Sequence, residues 1–102
     1  MKTIRVKPEK VCRNALTRSR GLMFAKQPRT TLFISKKLTL AQVHMFFVFF
    51  PLDVYFLDEN KFITHKQTLN PFEISKLTRA KYILETKRNL LRADVGDRIE
   101  LL

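Results

Sequence analysis

The sequence predicts a small, mainly β domain, a barrel or sandwich with one or two short helical turns. Three observations predict it. Apolar residues come in short alternating or unbroken runs rather than at the 3.6-residue spacing of an amphipathic helix. Pro, Gly, Asn and Asp fall between those runs, as turns between strands require. The chain has 102 residues, 45% of them hydrophobic, with nine phenylalanines, which is enough for one modest core and too apolar for disorder. Residues 1–102 therefore read as a single domain.

From the N-terminus, Thr3–Val6 alternates with charged Arg5 and Lys7 and stops at Pro8, a short strand. Residues 11–16 form a second candidate strand. Thr17 is placed to cap one helical turn over residues 17–20, which Gly21 would end. Leu32, Phe33 and Ile34 make a short strand, and residues 38–43 fit strand or loop equally. Residues 44–50, His-Met-Phe-Phe-Val-Phe-Phe, lack helical periodicity and read as a strand buried on both faces. Pro51 then calls for a bend or bulge. Residues 52–57 continue as a strand, Asp58, Glu59 and Asn60 turn, with Asn60 suited to positive φ, and residues 61–68 return as a hairpin. Asn70 and Pro71 close it. A helical turn is expected within residues 73–79, a strand over 80–87, a turn at Val95, Gly96 and Asp97, and a last strand over 98–102.

Charge is uneven along the chain. Residues 1–52 carry eleven Lys or Arg and one acid, Glu9, whereas residues 53–102 carry nine and eight. Such a basic half keeps a protein soluble and attracts polyanions without sequence preference. Arg18, Arg20, Lys26, Arg29, Lys36 and Lys37 are its candidate phosphate-tracking patch. Cys12 is the one cysteine, so no internal disulfide is expected and a reducing, cytoplasmic setting is. A lone thiol is usually a small buried hydrophobe. The longest apolar run, residues 45–52, is far short of the ~20 residues of a spanning helix, and residues 1–7 lack a signal-peptide core. No membrane association is expected.

Asp53 needs a physical account, because its neighbours are Phe49, Phe50, Pro51, Leu52, Val54, Tyr55 and Phe56. A lone buried carboxylate costs several kcal/mol, so it must be paired, protonated or placed at a wet mouth. A three-residue hairpin turn sets it opposite His65, and a four-residue turn opposite Lys66. Arg18 is a longer-range candidate able to bind bidentately. The residue is then either a register-fixing ion pair or a carboxylate lining a ligand pocket.

Several segments together resemble the domain-of-unknown-function family 192, also catalogued as uncharacterised protein family 0127. They are Arg18-Ser19-Arg20-Gly21-Leu22-Met23, Leu32-Phe33, Met45 followed six residues on by Pro51-Leu52-Asp53-Val54, Phe56-Leu57-Asp58, Asn70-Pro71, Ala80-Lys81-Tyr82-Ile83-Leu84-Glu85 and Gly96-Asp97. The resemblance spans about residues 11–101. The His-Met-Phe-Phe-Val-Phe-Phe-Pro stretch looks like the archaeal branch; bacterial members usually have tryptophan at the His44 place. The resemblance implies a small mainly β fold and no established activity. It also implies that Arg18, Gly21, Leu22, Met23 and Asp53 sit near one another and either knit the barrel or line a pocket.

Other chemistry is poorly represented. The two histidines and one cysteine lack zinc-ligand spacing, and two glycines cannot build a phosphate-cradling loop. No serine nucleophile elbow occurs. No catalytic residue, metal or cofactor is therefore assigned. The leading expectation is a non-catalytic binding module with a pocket near Arg18, Gly21, Met23, His44, Met45 and Asp53. The alternative is a nucleic-acid or polyanion binder acting through the basic half. A third reading is a small enzyme using Asp53 and His65 as a proton-transfer pair.

Overall fold

A computed structural model describes residues 1–13 and 26–102. Among them are seven strands and no helix: β1 (Thr3–Val6), β2 (Lys10–Arg13), β3 (Thr31–Ala41), β4 (Leu52–Leu57), β5 (Ile63–Leu69), β6 (Thr78–Lys87) and β7 (Arg98–Leu101). The larger sheet runs β2-β3-β6-β4-β5, and β1 pairs with β7 in a separate two-stranded sheet. No pairing joins the edges β2 and β5, so the architecture is sandwich-like and not a closed barrel. The pairs β1–β7 and β2–β3 are parallel, the rest antiparallel.

β4 is the spine. It pairs with β5 on one side and β6 on the other, and all six of its residues are buried. That is the environment a continuous Leu-Asp-Val-Tyr-Phe-Leu run requires, since the sheet is covered on both faces. Alternation sends Leu52, Val54 and Phe56 into one core with Phe33, Val43, Met45, Val48 and Ile83. Tyr55 and Leu57 go to the other, with Val6, Leu32, Leu84 and Ile99. The small sheet thus covers one face through Val6 and Ile99, while loop residues Val43, Met45 and Val48 cover the opposite face. Cys12 packs against that first core, as a small hydrophobe does.

Three local expectations are corrected. Residues 44–50 do not form a strand; His44 makes one bridge, to Ile74, and Phe46, Phe47 and Phe49 are exposed. Residues 73–77 are not helical, because their backbone groups are used crosswise: Met45 N–H donates to Glu73 O (2.8 Å) and Ser75 N–H to Val43 O (2.8 Å). In the hairpin turn the positive φ (66°) falls on Lys61 rather than Asn60. Asp58 organises that turn by accepting from the N–H groups of Asn60 (2.9 Å) and Phe62 (3.0 Å), a side chain imitating a backbone turn. The expected helical turn at residues 17–20 lies outside the described residues.

Two bulges shift the register within the larger sheet. Phe56 faces His65 but Leu57 faces Ile63, so Thr64 is extra, and its hydroxyl donates to Phe56 O (3.2 Å). In β3, Ile34 faces Tyr82 and Thr39 faces Ala80. Residues 35–38 therefore all stand against Lys81 alone.

Candidate functional site

The most distinctive surface is built from residues 40–49 and 72–77. Hydrogen bonds lace the two segments together: Val43 N–H donates to Ser75 Oγ (2.8 Å), Gln42 Nε2 to Ser75 O (3.0 Å) and Phe72 N–H to Met45 O (2.9 Å). Val43, Met45 and Val48 point inward. The remaining large side chains have nowhere to go but out. Leu40, Phe46, Phe47, Phe49, Phe72, Ile74 and Leu77 are each 43–60% exposed.

Leu40, Ala41, Gln42, His44, Phe46, Ile74 and Leu77 line a groove of about 320 Å³. His44 lies beside Phe46, with ring centroids 5.1 Å apart, and its Nδ1 accepts from Phe46 N–H (3.3 Å). Farther along, Phe72 receives both Phe47 and Phe49 edge-on at 6.2 and 6.1 Å, the favoured geometry for aromatic pairs. Phe47 and Phe72 both hold left-handed backbones, at φ 60° and 67°. For a bulky side chain that conformation costs about 1–2 kcal/mol, and such outliers concentrate at ligand-contacting sites.

Asp53 lies elsewhere. Its alternation with Tyr55 and Leu57 puts it on the face covered by the small sheet, where it is 3% exposed. It stands opposite Thr68 and Thr86, not His65 or Lys66. The bulge at Thr64 and the Asp58–Phe62 turn displace the register beyond what a plain three- or four-residue turn would set. One carboxylate oxygen accepts from Thr68 Oγ1 (2.6 Å) and the other from Asn89 N–H (2.9 Å). Both of these donors are neutral; Lys66 pairs instead with Asp94 (3.9 Å), and Arg18 lies outside the described residues. His65 stands opposite Phe56, with its ring 5.4 Å away, on the reverse face of the sheet from Asp53. The two do not form a proton-transfer pair.

Tyr55, two residues on, is fully buried, and its hydroxyl has no hydrogen-bond partner among the described residues. Burial first, then the carboxylates of Asp53 and Asp94, raise its pKa to about 12. Lys66 sits 5.5 Å from its ring centre and donates to Ala93 O (2.9 Å), pinning the loop that crosses this face.

The sequence-selected residues therefore separate. His44 lines the groove, Met45 is buried in the first core, and Asp53 belongs to the opposite face. Arg18, Arg20, Gly21, Leu22 and Met23 lie outside the described residues. Lys26, Arg29, Lys36 and Lys37 are all exposed. Sequence reasoning missed Leu40, Gln42, Phe72, Ile74 and Leu77. One signal for them was present: Phe72 follows Asn70-Pro71 directly, and turn chemistry gives no reason for a large apolar residue there.

The model of the DUF192 family, "Uncharacterized ACR", matches residues 2–101. The chain belongs to that family. Among curated relatives, the UPF0127 protein PH1112 of Pyrococcus horikoshii is 36% identical over 91 residues, covering 83% of this chain and 79% of its own. The UPF0127 protein PF1050 of Pyrococcus furiosus is 37% identical over 93 residues, covering 85% and 80%. No solved structure matches the chain. Among the described residues no helix is long and apolar enough to cross a membrane, and no cluster of His, Cys, Asp or Glu could hold a metal ion.

Proposed function

We propose that this DUF192 chain is a non-catalytic binding module that docks a protein partner in the groove between residues 40–46 and 74–77. The supporting observation is the exposure of Leu40, Phe46, Ile74 and Leu77 along the groove, together with the exposed cluster of Phe47, Phe49 and Phe72 carried by the same two segments. Large apolar patches on a soluble domain mark interaction sites, and a groove with aromatic walls and a few polar groups provides anchor pockets. Gln42 and His44 are the polar groups here. Charge dictates the chemistry of the partner. Residues 36–51 and 70–81 carry five Lys or Arg and one acid, Glu73, and the Glu73 carboxylate is engaged by Asn70 N–H. A segment offering apolar anchors flanked by carboxylates complements that surface.

The test is selection of displayed peptides against the purified chain, followed by affinity measurement with a Phe46→Ser, Ile74→Ser, Leu77→Ser triple variant. Apolar peptides with acidic flanks should emerge and lose at least tenfold in affinity on the variant. Peptides indifferent to the variant would overturn the reading. A self-associating chain whose dimer is lost in the variant would overturn it too, reassigning the face to a second copy.

A further inference from the structure

The wide bulge of β3 creates a second, chemically different site. Opposing four residues with one leaves backbone carbonyls without ladder partners, and Lys81 supplies the missing donors. Its Nζ donates to Ser35 O (2.7 Å) and Lys36 O (2.9 Å). Both acceptors are neutral, so the ammonium is held in place while its full charge persists.

Two more cations converge on the same place. Arg13 ends β2 in register with Ile34, and Lys36 lies in the bulge itself. Together Arg13, Ile34, Ser35, Lys36 and Lys81 line a cavity of about 270 Å³. No carboxylate is among these residues. A concave site walled by one sign of charge focuses its field on an incoming counter-ion.

We propose that this cavity binds a phosphate group. An arginine fork matches phosphate oxygens bidentately. A lysine head already immobilised by two carbonyls loses little further freedom on binding. The volume lies just under the usual range of ~300–1,000 Å³ for small-molecule pockets, which suits one phosphoryl group with a small substituent rather than a duplex backbone.

The experiment is titration of the isotope-labelled chain with inorganic phosphate at constant ionic strength set by chloride, following backbone amide resonances. A saturable response at residues 13, 34–36 and 81 is expected. It should weaken at least tenfold in an Arg13→Gln, Lys36→Gln double variant, whose exposed substitutions leave the fold intact. Lys81→Arg keeps the charge and should retain binding better than Lys81→Gln. Parallel arms with glycerol phosphate and with vesicles of anionic phospholipid separate a free phosphate ester from a lipid headgroup. Shifts that never saturate, that chloride reproduces, or that survive the double variant would overturn the site. So would salt-sensitive RNA retention without any phosphate response, which would reassign these cations to diffuse polyanion attraction.

Discussion

Residues 44–50 and β4 are neighbours separated by Pro51, and both are rich in large apolar side chains. β4 is hydrogen-bonded on both edges, to β5 and β6, so its backbone is satisfied and both its faces are covered. Residues 44–50 have a single bridge, His44 to Ile74, and turn back on themselves, with Val48 N–H donating to Met45 O (3.2 Å). Only Met45 and Val48 of that run are fully buried. Apolar content is thus not what separates core from surface here. The separation comes from whether a partner strand is available on each side to take the backbone groups.

Five substitutions and one pH profile probe that contrast, in descending size. Phe56→Ala should lower stability by about 3–5 kcal/mol in denaturant unfolding, whereas Phe49→Ala should change it by less than about 0.5 kcal/mol. Equal losses would break the distinction. Asp53→Ala strands the Asn89 N–H and the Thr68 hydroxyl, and should cost about 1–3 kcal/mol. No loss would mean that the carboxylate does not organise the turn at Asn89.

Tyr55→Phe deletes a buried hydroxyl that has no partner among the described residues, and should raise stability by about 1 kcal/mol. It should also flatten the alkaline limb of the stability profile. With the folded phenol at about 12 and the unfolded one at 10.0, the unfolded chain binds fewer protons in that window, so stability falls as pH rises through it. A wild-type profile already flat from pH 10 to 12 would contradict the burial of that group. Phe47→Gly relieves a left-handed backbone and should stabilise by roughly 0.5–1 kcal/mol, while weakening capture of apolar acidic peptides. Improved stability with unchanged capture would remove Phe47 from the docking surface.

Much of this was legible in advance. β1, β4, β5, β6 and β7 are found within two residues of their expected bounds, because alternation and turn residues act locally. The exposed phenylalanines were not legible. A run such as Phe46-Phe47 reads as core wherever it stands, and only long-range hydrogen bonds to residues 72–75 show that it forms a rim. Asp53 was legible as a problem but not as a solution. Its opposite residue depends on the number of residues in the turn and on the bulge at Thr64.

A mainly β chain, the buried spine of residues 52–57, the turn at residues 58–60 and a strongly basic first half are all written in local chemistry. Side-chain periodicity, turn propensity and charge each act within a few residues, so no folded partner is needed to read them. Long-range packing alone selected which apolar residues face water, brought Thr68 and Asn89 to Asp53, and set Lys81 across a bulge beside Arg13 and Lys36. Strand register governs all three, and register is a property of pairs of segments far apart in the chain.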